Sequence, residues 1–228
     1  MERDYLTEHY SNYDEDGRLL SRHGQVEYRT TMKYIRESLA GFSAPQILEV
    51  GAGTGRYSVT LAKEGFSVTA VELVEHNLAQ LKAKLDGTEP ITALQGNALD
   101  LSMLPSDHFD LTMLLGPMYH LYTREDKLQA LREVMDLQML TPDWHCISEP
   151  KDLFELVRTE DIAALDAEIP VERLKLVATD GATNYMREYI DAMDDESFAQ
   201  WMNFHFAICE RQDLIGASHH TLDVLKKR

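Results

Sequence analysis

One stretch constrains this chain more than any other: Ile47-Leu-Glu-Val-Gly-Ala-Gly-Thr-Gly-Arg-Tyr57. An apolar run ends in three alternating glycines, and the next apolar run closes on Glu72, 17 residues past Gly55. The order is that of a buried strand, a tight turn, a helix start and a second strand ending in a carboxylate. In a parallel α/β sheet such a turn and such a carboxylate meet at the carboxyl edge, where ligands lie. Glycine lets the backbone take left-handed conformations and come close to a ligand. An acidic side chain about 20 residues on is placed to hold ribose hydroxyls. The pattern predicts an adenosine-containing cofactor. The competing reading is a plain strand-to-helix turn followed by a solvated strand end.

The glycines stand at 51, 53 and 55, whereas the dinucleotide fingerprint wants its third glycine at the position of Arg56. That departure weakens a pyrophosphate-binding reading and, with it, a nucleotide-dependent oxidoreductase. The form Glu49-Val-Gly-Ala-Gly-Thr-Gly55 resembles motif I of the class I S-adenosylmethionine-dependent methyltransferases, of the type acting in quinone biosynthesis. Three further segments resemble the family in order. Ser67–Leu73 looks like its second strand with the ribose acid, Gln95–Leu99 like its adenine loop, and Phe109–Leu121 like strand four and the loop beyond. Asn97 stands where many members carry Asp; its carbonyl can still meet an adenine amino group, and an ordinary turn former is the alternative.

The resemblance implies a three-layer α/β/α Rossmann-like sheet, mostly parallel, with an antiparallel last strand. It implies S-adenosylmethionine as cofactor, leaving S-adenosylhomocysteine. The implied cofactor-binding residues are Glu49, Gly51, Ala52, Gly53, Thr54, Gly55, Tyr57, Glu72, Leu73, Asn97, Ala98, Leu99, Leu115 and Gly116. It puts His120 and Tyr119 where the chemistry occurs. Substrate candidates are Tyr13 and Arg22 in an N-terminal segment placed like a lid, and Tyr185, Arg187, His219 and His220 near the end. Packing or a solvated surface is the alternative for each of these. A protein that binds the cofactor without transferring the methyl group is a further alternative.

Composition narrows the acceptor. The net charge is −17, from 22 basic and 39 acidic side chains, and such a surface repels phosphate backbones at long range. A small-molecule acceptor is expected rather than nucleic acid. No apolar run approaches the ~20 residues of a membrane span, and the first residues lack the apolar core of a signal peptide, so the expectation is a cytoplasmic protein, monomeric or homodimeric. Cys146 and Cys209 are the two cysteines, and the nine histidines show no His-x-x-x-His pair. Spacing therefore predicts no metal site.

The elements follow from periodicity and punctuation. Residues 1–44 read as an N-terminal lid and a first amphipathic helix over 27–40, and residues 45–228 as the cofactor-binding domain, in a single-domain chain. Helices are expected over 54–64, 75–85, 184–193 and 195–211, and from a capping box at Thr123–Asp126. Strands are expected at 91–95, 109–115, 173–179 and 220–225. Phe198, Trp201, Met202, Phe204 and Phe206 read as core. No glycine occurs between Gly116 and Gly181, where the family has a glycine turn and a fifth strand. That strand is expected to be missing near 136–141. Either the chain carries a deletion or a stretch is left out of its sequence; a deletion would leave buried backbone groups unpaired, which favours the second.

Overall fold

A computed structural model describes residues 15–117, Glu125, Lys127 and 159–228. The capping box at 123–126, the helix expected to follow it, Tyr13, Tyr119, His120, Cys146 and the expected gap at 136–141 lie outside the described residues. The described part falls into two compact units: one holds residues 15, 41–117, 125 and 127, and the second holds residues 16–40 and 159–228. This division runs elsewhere than the boundary at 44/45 expected from sequence, because the first long helix packs with the C-terminal segment.

The first unit is a parallel sheet. Strands β1 (Gln46–Val50), β2 (Ser67–Glu72), β3 (Ile91–Gln95) and β4 (Leu111–Leu114) lie in the order β3-β2-β1-β4. β1 sits inside the sheet, with Val50 opposite Val71 on one side and Leu114 on the other. A central parallel strand is covered on both faces, and so reads as a continuous apolar run. Leu48 and Val50 pack with Val71 and Leu101 on one face, while Ala70 joins Ala52, Val59 and Leu81 on the other. The second cluster is closed by two crossover helices, α3 (Arg56–Lys63) and α4 (Glu75–Ala83). Gly65, in the left-handed region, follows the end of α3. The register brings the carboxyl ends of β1, β2 and β4 level, so the chain leaves the sheet at 51, 73 and 115 along one edge.

The second unit joins distant segments. A short helix α1 (Glu15–Leu20) precedes α2 (Arg22–Leu39), which begins five residues earlier than periodicity predicts. Ser21 sets that start, its hydroxyl accepting the Gly24 N–H at 3.1 Å. Helix α5 (Thr159–Asp166) leads into β5 (Val171–Ala178), which pairs antiparallel with β6 (Thr221–Lys227) in a separate two-stranded sheet. Between them come a 3₁₀ helix (Gly181–Met186), α6 (Arg187–Asp191), α7 (Asp195–Ile208) and a 3₁₀ turn (Ile215–Ala217). The 3₁₀ helix takes the first part of what the pattern reads as one α-helix over 184–193.

Val26 of α2 buries itself against Ile190, Phe198 and Met202, with Trp201 and Phe206 at the border. The aromatic stretch of α7 is thus mainly core, although Phe204 stays 53% exposed. Arg22 pairs with Asp195 at 2.8 Å and lies over the Phe198 ring. At the far end of β5, Arg173 bridges Asp223 at 2.8 Å and Asp166 at 2.6 Å. The mostly parallel sheet with its separate antiparallel pair is a Rossmann-like α/β arrangement, as the residues predict.

Candidate functional site

The first unit places its chemistry at the edge where β1 and β2 end. Gly51, Gly53 and Gly55 all have positive φ, at 77°, 55° and 84°. Such a run of left-handed backbone is open to glycine and strained for any residue with a Cβ. It turns the chain back on itself so that the N–H groups of Gly51 and Ala52 both reach the Val71 carbonyl, at 2.8 and 3.0 Å.

The three glycines meet different surroundings. A Cβ on Gly51 would lie 2.3 Å from Cγ of Pro117, and one on Gly55 would lie 2.6 Å from Cγ of Leu81. These two positions need glycine for packing as well as for φ. A Cβ on Gly53 would meet nothing within 4 Å among the described residues. Gly53 therefore faces open space among the described residues.

Glu72 borders that loop. Its Oε2 accepts the Gly53 N–H at 2.8 Å, and its Oε1 accepts the Val74 N–H at 2.9 Å. Burial pushes its pKa up, against bonds from Val74, Gly53 and the Asn77 side chain that favour the charge. Leu73, the next residue, leaves 44% of its surface exposed. Lys84 fixes the loop from α4 by donating to the Thr54 carbonyl at 2.8 Å.

Glu49 plays another part. It is 1% exposed, and its Oε2 accepts both the Ser58 N–H, at 3.0 Å, and the Ser58 hydroxyl. Burial pushes its pKa up to about 8, the Ser58 bonds oppose that, and the charge of Glu72 adds to it. Glu49 thus ties β1 to the first turn of α3 beneath the glycine loop. Thr54 and Tyr57 are buried at 3% and 8%, also as support.

The remaining expected residues line the same edge. Asn97 Oδ1 accepts the Leu99 N–H at 3.0 Å and closes its own turn, the behaviour of a turn former. Ala98 and Leu99 follow in that turn, half-buried. Leu115 and Gly116, at φ 102°, leave β4 toward Pro117.

Sequence reasoning missed Ser58, Asn77, Lys84 and Pro117. Ser58 lies nine residues beyond Glu49, and a serine in the first turn of a helix carries no special pattern. Pro117 is legible only as a breaker until the missing Cβ of Gly51 shows what it packs against.

The substrate candidates Arg22, Tyr185, Arg187, His219 and His220 belong to the second unit. Arg22 is committed to Asp195 and Phe198. Tyr185, 68% exposed, stands edge-on to the His219 ring at 4.9 Å. Arg187 donates to Asn184 Oδ1 at 2.8 Å, and Asn184 in turn donates to Asp180. His220 Nδ1 lies 2.8 Å from Asp180 Oδ2. Four of the expected residues are thus gathered around Asp180, which sequence reasoning did not single out.

Residues 47–142, which include the parallel sheet and its glycine loop, match the family model described as "Methyltransferase domain". A Bacillus subtilis protein named as a methyltransferase is 28% identical over 133 residues, 58% of this chain and 50% of that one. A Geobacillus protein of the same description is 31% identical over 118 residues, 50% of this chain and 47% of that one. The chain spans about half the length of the curated relatives it matches. A SAM-dependent methyltransferase from Leishmania major shares the fold, with TM-score 0.53 and 23% identity over 67% of this chain and 64% of that one.

Proposed function

We propose that the protein is an S-adenosylmethionine-dependent methyltransferase acting on a small molecule. One observation carries the reading: the Glu72 carboxylate at the end of β2 is bonded to the N–H of Gly53, inside a loop of three left-handed glycines. The residues present fit the cofactor. The open space at Gly53 leaves its backbone free to be approached by an amino-acid moiety. Glu72 offers about four acceptor positions, so it can take ribose hydroxyls while keeping its backbone donors. Leu73 gives apolar surface for a flat ring. A pyrophosphate would instead call for the helix-starting glycine spacing that Arg56 interrupts.

When bound, the cofactor supplies a methyl group activated by a sulfonium. The chain positions it and holds it out of bulk water, which is the main protein contribution to such a transfer. Glu72 fixes the sugar, and the glycine loop fixes the amino-acid end. Tyr119 and His120 are the sequence candidates for handling the acceptor and its proton. The surplus of 39 acidic over 22 basic side chains favours a small acceptor over a phosphate polymer. Among the described residues no helix is long and apolar enough to cross a membrane, and the proposed setting is cytoplasmic.

Calorimetric titration with S-adenosylhomocysteine tests this. Saturable binding by the whole chain, weakened at least about tenfold by Glu72→Ala, is expected, since losing charge-assisted hydrogen bonds costs about 1.5–3 kcal/mol. Folded protein that binds no S-adenosylhomocysteine refutes the reading. Binding without turnover across a panel of hydroxyl, amine and thiol acceptors would leave a cofactor-binding protein without transfer activity.

A further inference from the structure

The Asp180 cluster lies within the second unit and is independent of the glycine loop. Asp180 is 1% exposed. Its Oδ1 accepts the Ser218 hydroxyl at 2.5 Å and the N–H groups of His219 and His220 at 3.0 and 3.2 Å. Three donors on one oxygen lock the carboxylate plane. The other oxygen, Oδ2, receives the Asn184 amide and faces the His220 ring, with Nδ1 at 2.8 Å. From α2, Glu27 brings Oε2 to 3.6 Å from the same Nδ1. The three ligand-capable atoms all lie within 4.8 Å of one another.

These separations suit an ion. A cation with bonds of about 2.0–2.2 Å to nitrogen and oxygen sets neighbouring ligand atoms about 3–3.5 Å apart. Binding needs only small outward shifts of Glu27 and of the exposed face of His220, whose side chain is 30% accessible. The outer bonds are those a ligating carboxylate requires, with its orientation fixed by donors that do not touch the ion. Burial opposes the Asp180 charge, but the His220 ring, its charge and Ser218 outweigh it and keep the carboxyl below its ordinary range.

A second imidazole backs the cluster. His205 is 2% exposed, and burial pushes its pKa down against the pull of Asp180. Its ring lies 3.4 Å from where a Cβ on Gly181 would stand, and its Nε2 has no hydrogen-bond partner among the described residues. A buried imidazole thus adjoins Gly181, the residue after Asp180.

We propose that Glu27 Oε2, Asp180 Oδ2 and His220 Nδ1 form a site for one divalent first-row transition cation. One imidazole and two carboxylates suit a borderline ion such as Zn²⁺ or Mn²⁺ better than a purely oxygen-seeking one. The ion would pin α2 to the segment after β5 and to the start of β6. Spacing rules predict no metal because they look for ligands close in sequence, whereas these three stand at 27, 180 and 220. Ligation through Nδ1 places the ring proton on Nε2.

The test is titration of the whole chain, first stripped by a chelator, with ZnCl₂ in a calorimeter, alongside ¹⁵N-histidine NMR. One Zn²⁺ per chain with a Kd of about 1–10 μM is expected, together with a move of the His220 ring resonances. His220→Ala and Glu27→Gln should each weaken binding at least about thirtyfold, since loss of even an outer-shell partner costs roughly 10–100-fold. Equal Zn²⁺ affinity in both variants would place the ion elsewhere and overturn the proposal. Should the variants not fold, the wild-type spectrum decides, and His220 resonances unmoved at saturating Zn²⁺ overturn it.

Discussion

Glu49→Gln offers a test of how the sheet supports its glycine loop. The carboxyl is 1% exposed with a pKa pushed up to about 8, from 4.5 when free in water. Below pH 4.5 it is protonated in both folded and unfolded chains and contributes no pH dependence. Between pH 4.5 and 8 the unfolded chain releases the proton and the folded chain holds it, so stability falls as pH rises. The slope is about 1.4 kcal/mol per pH unit, and the total loss above pH 8 is on the order of 5 kcal/mol.

Gln has no proton to lose and carries no such slope. Its amide keeps one acceptor for Ser58 but buries an unsatisfied donor, at a cost of about 1–3 kcal/mol. The variant should therefore be less stable than wild type at pH 4.5 and more stable at pH 8.5, with the curves crossing between about pH 5 and 7. Glu72, raised as well, is present in both proteins and largely cancels in the difference. Urea unfolding followed by far-UV circular dichroism at half-unit pH steps measures the effect. A constant deficit for Glu49→Gln across that range would refute the reasoning, since it would mean that Glu49 is charged when folded.

The glycines should separate by role. Gly55→Ala meets Leu81 at 2.6 Å in a left-handed backbone and should destabilise by roughly 2–4 kcal/mol in urea. Gly53→Ala has free room and should cost only about 1 kcal/mol, yet it should weaken S-adenosylhomocysteine binding by at least tenfold in calorimetry. Ser21→Ala removes the cap of α2 and should cost about 1 kcal/mol by chemical denaturation. Burial and the charge of Asp223, opposed by Arg173, push the pKa of Asp166 up to about 7. Its contribution therefore falls away as pH rises from 3.8 through 7, and Asp166→Asn should flatten that part of a melting-temperature profile; parallel profiles would contradict the assignment.

Local pattern carried the first unit. β1, β2 and β3 fall within a residue of their expected ends, because a strand buried on both faces is an unbroken apolar run bounded by glycine or proline. β4 is two residues shorter at its start, where Asp110 turns to accept the Gln46 N–H. The glycine loop and Glu72 were legible because the whole unit spans 26 residues.

What was not legible is association over long separations. Nothing in the periodicity of α2 shows that Tyr34 will donate to Glu210 at 2.6 Å, or that Val26 will pack on Phe198. A helix pattern states that a face is apolar, not which segment covers it. Asp180 was overlooked for the same reason: its donors come from residues 184 and 218–220, and its companion carboxylate from residue 27.

The contact between Gly51 and Pro117 has a further implication. One residue's vacant side-chain volume is filled by a ring 66 positions downstream, so two segments far apart in the chain share a single parcel of space. Any enlargement at 51 must displace the exit from β4. The turn after β1 is thereby shaped by the chain that leaves the neighbouring strand β4, and the two exits are free to vary only together.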